Sequence, residues 1–155
     1  MLKKLLVAID GTEYSWRALE YAIGIAKMAE SELVVLTVAR EGLQHTPQLP
    51  LEGELAGDVN GPAMQVGNEV LGAAKHIIDE QNIPCSYVLV IGSRPAPEII
   101  KQCRKEKCDT IIIGTRGFGA IEGLFKNSVS HIVIENASVP VICLLYTSPS
   151  PRDCS

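Results

Sequence analysis

Five short apolar runs, separated by stretches with helical spacing, leave this chain few architectures to choose from. Residues 5–9, 33–38, 87–91, 110–113 and 139–145 are apolar with few breaks and rich in β-branched side chains. A strand with one face in water alternates polar and apolar residues, whereas a strand covered on both faces does not. The intervening stretches have the other period. Residues 14–29 bring Trp16, Leu19, Ile23 and Ala26 onto one helical face, and residues 67–81 do the same for Val70, Leu71, Ala74, Ile77 and Ile78. Residues 97–107 open with Pro97 at a first helical position and turn Ile99, Ile100 and Cys103 towards the sheet. A last helix over 128–136 would bury Val129, Ile132 and Val133. Strand runs alternating with helices specify an α/β fold: a doubly wound five-stranded parallel sheet with helices on both faces, joined by right-handed crossovers.

A length of 155 residues suits one domain, expected over 1–146. The connection 40–62 contains Gly, Pro and Gln, lacks periodicity and reads as a surface loop. Beyond it the alternation of helical and strand patterns resumes, until the character changes again at Thr147. Residues 147–155 have no apolar pattern, are expected to be disordered and read as foreign to the domain. The net charge of −4 gives no whole-chain case for nucleic-acid or anionic-membrane binding. The basic stretch 101–107 is broken by Glu106 and suits the C-terminal end of a helix. The opening apolar run is too short for a secretory signal, Asp10 interrupts it, and no run is long enough to cross a bilayer. The expected location is the cytoplasm.

Cys85, Cys103, Cys108, Cys143 and Cys154 form no CxxC pair and no zinc spacing. Cys85 and Cys143, at strand positions, read as buried structural thiols. His45, His76 and His131 are scattered, with no partner that the sequence displays, so neither a metal site nor a catalytic residue is expected.

In open α/β sheets, ligands bind beyond the carboxyl ends of the strands. Asp10-Gly11-Thr12 follows the first strand run, and Gly114-Thr115-Arg116-Gly117-Phe118-Gly119 follows the fourth. The glycines let the main chain turn sharply and expose its N–H groups. Ser128 and Ser130 stand where the last helix begins, and free N–H groups at a helix start attract anions. With Arg116 nearby, the loop and the helix end could hold a phosphate between them, or the glycines could make a turn while Ser128 caps the helix. Asp10 is open in the same way. It can accept hydrogen bonds from a ribose or an adenine amino group, or it can cap the first helix with Glu13 in a box-like arrangement. There is no GxxxxGK[ST] loop, no GxGxxG after the first strand and no GxSxG elbow.

In these features the chain resembles the universal stress protein family. The likeness runs through Leu6-Val7-Ala8-Ile9-Asp10-Gly11-Thr12, Leu36-Thr37-Val38, Ile112-Ile113-Gly114-Thr115-Arg116-Gly117, Ser128-Val129-Ser130 and Val139-Pro140-Val141-Ile142, and covers nearly all of 2–145. Nucleotide-binding members of that family carry Gly-x-x-Gly, nine residues, then Gly and Ser or Thr. Gly114 and Gly117 match the first part and Ser128 the last, while Asn127 stands where the family has glycine. Asparagine tolerates left-handed backbone angles, but its side chain would crowd a phosphate that glycine lets approach.

The resemblance implies strand order 3-2-1-4-5, as in the adenine nucleotide alpha hydrolase-like proteins, and binding of ATP, with Mg²⁺ or Mn²⁺ as a companion. It places Asp10 against the adenine or ribose beside Ala8, with Val38 and Ile113 in the same site. Gly114, Arg116 and Gly117 would wrap the ribose and phosphates, and Asn127, Ser128, Val129 and Ser130 would hold the phosphates. Any hydrolysis would be slow or absent, because no residue is identifiable as a base to orient water. The resemblance also implies a homodimer formed through the last strand, and a role in stress response or signalling. The alternative is a nucleotide-free dimer that acts through protein partners. A flavoprotein or an AMP-forming ATPase relative would share the general fold, and nothing in the sequence requires either.

Overall fold

The computed structural model describes residues 1–40, 61–116 and 129–146. Its described elements run β1 (Lys4–Ala8), α1 (Glu13–Ala29), β2 (Glu32–Arg40), α2 (Gly61–Ile78), β3 (Cys85–Gly92), α3 (Pro95–Glu106), β4 (Thr110–Arg116), α4 (Val129–Asn136) and β5 (Val141–Tyr146). The strands form one all-parallel sheet in the order β3-β2-β1-β4-β5, so the expected α/β fold and strand order are both present.

The unbroken apolar runs are explained by burial on two faces. Leu5, Val7, Ile9, Leu33, Val35 and Ile112 pack with α1 and α2 on one side of the sheet. Leu6, Val34, Leu36, Ile111 and Ile113 pack with α3 and α4 on the other. Leu5, Leu6, Val7, Leu33, Val34, Val35 and Leu36 have no exposed surface at all. Burying a side chain of this size contributes about 1.5–3 kcal/mol, so the central strands anchor the fold.

Two helices begin earlier than their spacing indicates, and proline is the reason in both. α2 starts at Gly61 rather than at residue 67, and α3 at Pro95 rather than at Pro97. The N–H groups of a helix's first turn have no intrahelical acceptor, so Pro62, Pro95 and Pro97 cost no hydrogen bond where they stand. The buried stripe of α2 is Ala63, Gly67, Ala74 and Ile78, with Val70 and Leu71 partly covered. Ile77 lies off that stripe and is exposed. Trp16, read as part of the buried face of α1, is only partly covered, and the face itself is Ala18, Leu19, Ala22, Ile23 and Ala26.

The thiols also differ from expectation. Cys85 and Cys143 are half-buried, whereas Cys103 and Cys108 are buried. Cys85 and Cys143 lie on the outermost strands of the sheet, where cover is incomplete. His131 has a partner that the sequence reading did not supply: its Nε2 lies 3.4 Å from Glu135, one turn along α4. Most of the connection 40–62, with His45 in it, and the tail 147–155, with Cys154, lie outside the described residues. Among the described residues no helix is long and apolar enough to cross a membrane.

Candidate functional site

β1 is the shortest strand and sits at the centre of the sheet, and that combination makes a crevice. Its last residue, Ala8, pairs with Leu36 of β2 and with Ile113 of β4. Both neighbours run on, β2 to Arg40 and β4 to Arg116. β2 continues beside β3, with Val38 opposite Val90, and β4 continues beside β5, with Gly114 opposite Leu144. The connections therefore diverge above β1, where an open α/β sheet places its ligand site.

The end of β1 is firmly held. Ile9 N–H donates to Leu36 O at 2.9 Å, and the buried Thr37 hydroxyl donates to Ile9 O at 2.8 Å. Gly11 then takes φ +90°, a left-handed angle that a side chain would strain, and the chain turns into α1. Thr12, not Asp10, is the N-cap of α1: its Oγ1 accepts from Ser15 N–H at 3.3 Å. Ser15 Oγ donates to Thr12 O and accepts from Asp10 N–H, which ties Asp10 to the first turn. Glu13 points to Arg17, 3.2 Å away, so the box with Asp10 does not form.

Asp10 is consequently left exposed at the rim. Its Oδ1 accepts from Thr12 N–H (3.0 Å) and Thr12 Oγ1 (2.6 Å). Oδ2 receives no hydrogen bond from any described residue that would compete for a ligand.

A cavity of about 290 Å³ occupies the crevice. Of the residues singled out in the sequence, Ala8, Asp10, Val38, Ile113, Gly114, Val129 and Ser130 line it. Arg116 closes β4. Gly117, Asn127 and Ser128 lie outside the described residues. Ser130 is buried, close enough to the Cys143 thiol on β5 to influence its titration. Burial pushes that thiol up from its ordinary pKa, with Ser130 pulling the other way.

The sequence reading missed Ile9, Tyr14, Ser15, Pro95, Ile99 and Thr115, which also line the cavity. Tyr14, Ser15, Pro95 and Ile99 belong to the starts of α1 and α3, the helices that follow β1 and β3. A search of the first turn after each strand, as well as the loop before it, would have included them. Gly114 has a second task besides lining the site. A Cβ there would run into the main-chain oxygen of Tyr14 and stand 3.1 Å from the Ala18 methyl, so α1 packs directly on the backbone of β4.

The family model described as "Universal stress protein family" matches residues 1–144. The chain belongs to the universal stress protein family. Universal stress protein YxiE of Bacillus subtilis is 30% identical over 146 residues, which cover 92% of this chain and 98% of that protein. Among solved structures, a universal stress protein of Archaeoglobus fulgidus in complex with dAMP superposes with a TM-score of 0.64 at 23% identity, covering 92% of this chain and 98% of the other. A universal stress protein family protein of Arabidopsis thaliana with AMP bound superposes with a TM-score of 0.70 at 17% identity, covering 99% of each. At these identities the two structures establish a shared fold. The described site of this universal stress protein contains no group of three or more His, Cys, Asp or Glu side chains placed to ligate a metal.

Proposed function

We propose that the crevice above β1 binds an adenine nucleotide, ATP in the first instance, and that the protein serves as a cytoplasmic stress-response or signalling module with slow or absent hydrolysis. The observation that carries this reading is the pairing of apolar walls with one carboxylate oxygen that no described residue engages. Ala8, Val38 and Ile113 offer surfaces that suit the face of a purine, and Asp10 Oδ2 offers an acceptor for a ribose hydroxyl or an adenine amino group. Small-molecule sites combine these parts: mostly apolar lining with a few placed polar groups. The volume of about 290 Å³ suits the nucleoside end of such a ligand. Relatives of the same fold with bound AMP and dAMP support the choice of ligand. By the same proposal Gly114, Arg116, Gly117, Asn127, Ser128, Val129 and Ser130 take the phosphates, with Mg²⁺ or Mn²⁺ as their counter-ion.

Calorimetric titration tests this. ATP and AMP are each expected to bind with micromolar affinity, and GTP at least tenfold more weakly. The absence of heat at millimolar ATP and AMP overturns the proposal and favours the nucleotide-free alternative, in which the protein acts through partners.

One feature at the sheet edge supports the dimer that both readings share. Among the described residues β5 pairs with β4 alone, its side chains 141–144 are half-covered, and Leu145 is 49% exposed. An apolar strand edge left in water is a template for another strand. Sedimentation equilibrium is expected to give a dimer, and Leu145→Lys a shift towards monomer. A monomer at high protein concentration would rule the dimer out.

A further inference from the structure

The end of α3 carries two cysteines that nucleotide binding leaves unused. The helix stops at Glu106, and Lys107 takes left-handed angles, φ 59° and ψ 41°. Lys107 N–H then donates to Arg104 O at 3.2 Å, and Cys108 N–H to Cys103 O at 3.0 Å. This is the Schellman ending, in which the two residues joined by the outer hydrogen bond usually share an apolar side-chain contact. Here both are cysteines. As a thiol, Cys103 Sγ donates to Cys108 O at 3.6 Å, and each thiol shifts the titration of the other.

The backbone bond also fixes how far apart the residues can be. With standard bond lengths, an N···O distance of 3.0 Å keeps the two Cα atoms within about 7.2 Å, even along a straight path. Disulfides form at Cα separations of about 4.4–6.8 Å, and the bend at each atom of that path brings the pair into the window. The thiols are nearly covered, with Cys103 4% and Cys108 5% exposed. Both nevertheless line a surface cavity of about 210 Å³, with Ile100, Arg104, Lys107 and Ser138 among its other walls. A water molecule claims about 30 Å³ in the liquid, and hydrogen peroxide only about a third more, so the cavity admits it.

We propose that Cys103 and Cys108 are a modification site: a dithiol that hydrogen peroxide oxidises to an intramolecular disulfide. In the first step the Cys103 sulfur attacks a peroxide oxygen, the S–O bond forms and the O–O bond breaks. The leaving hydroxide takes a proton and departs as water. Peroxide has gained two electrons, and Cys103 is a sulfenic acid. The Cys108 sulfur then attacks the Cys103 sulfur, the S–S bond forms and the S–O bond breaks. The hydroxide released takes up the Cys108 proton and leaves as a second water. Two thiols and one peroxide become one disulfide and two waters.

The division of roles follows from the surroundings. The Cys108 thiol holds Cys103 below its ordinary pKa against the cost of burial, and the Arg104 charge adds to the effect. The same pairing raises Cys108, which keeps its proton through the first step.

Peptide mapping of the full chain tests the proposal. Arg104, Lys105 and Lys107 lie between the two cysteines, so trypsin places them in different peptides. After brief treatment with a small excess of hydrogen peroxide, the chain is expected to lose two hydrogens in mass. One tryptic species should join the Cys103 and Cys108 peptides, and dithiothreitol should split it. Alkylatable Cys103 should disappear at least about tenfold faster than Cys85 or Cys143, as reactivity follows thiolate character. In Cys108→Ser, Cys103 should persist as a sulfenic acid that dimedone captures. A treated wild-type chain with Cys103 and Cys108 still separately alkylatable, or with Cys103 carried to sulfinic acid without the linked peptide, overturns the proposal and leaves the pair as helix-end packing.

Discussion

Gly114→Ala is expected to destabilise the protein by about 3 kcal/mol, near the upper end of the usual cost of overpacking. The site of the clash sets the size. The new methyl group would meet the main-chain oxygen of Tyr14 and press on the Ala18 methyl, and neither can rotate away as the end of a long side chain could. Relief requires α1 to slide along the sheet, and α1 carries Leu19, Ala22, Ile23 and Ala26 in the core. For a chain of this length the loss corresponds to roughly 6–12 °C in Tm. Gly24→Ala is the matched control. Gly24 lies inside α1 with open space where its Cβ would stand, and alanine there should stabilise by about 0.5–1 kcal/mol. Urea unfolding of the two variants reads both signs at once. A Gly114→Ala midpoint equal to wild type would mean that α1 does not rest on β4 as described.

The contrast between those glycines shows where sequence reading runs out. The five strand runs were legible because central parallel strands are buried on both faces, and unbroken apolar composition records that directly. Gly114 was legible as a flexible residue after a strand. Its close contact with Tyr14 was not, because residues distant in sequence meet only once α1 is laid across β4. Helix starts were misplaced at Pro62 and Pro95 for a local reason: the same proline that punctuates a loop is equally at home in a first helical turn.

The site followed the same rule. Ala8, Asp10, Val38, Ile113, Gly114, Val129 and Ser130 converge because strand ends were the right place to look. Tyr14, Pro95 and Ile99 were missed because their exposure to the crevice depends on where α1 and α3 start. The choice of cap was undecidable in sequence. Asp10 and Thr12 both suit an N-cap, and the left-handed turn at Gly11 gives the position to Thr12.

That assignment makes Asp10→Asn the most informative change at the crevice. Thr12 N–H and Oγ1 both donate to Oδ1, and asparagine keeps an oxygen that can stand there. Stability should therefore stay within about 0.5 kcal/mol of wild type, as for most exposed substitutions. Oδ2, by contrast, becomes an amide NH₂, so an acceptor turns into a donor and a charge is lost. A hydrogen bond to a charged group is worth about 1.5–3 kcal/mol, and its loss weakens nucleotide binding by roughly 10- to 100-fold. Asp10→Ala would remove both oxygens, lowering affinity together with stability and confusing the two effects. The diagnostic pattern is an unchanged unfolding midpoint with a calorimetric Kd at least tenfold higher for ATP. If the Asp10→Asn protein binds ATP as tightly as wild type, Oδ2 is not the ligand's acceptor, and recognition must reside in the apolar walls and the phosphate end. If it unfolds earlier instead, the carboxylate's principal duty is to hold the turn into α1, because its bonds to Thr12 would then be the interactions that the substitution had disturbed.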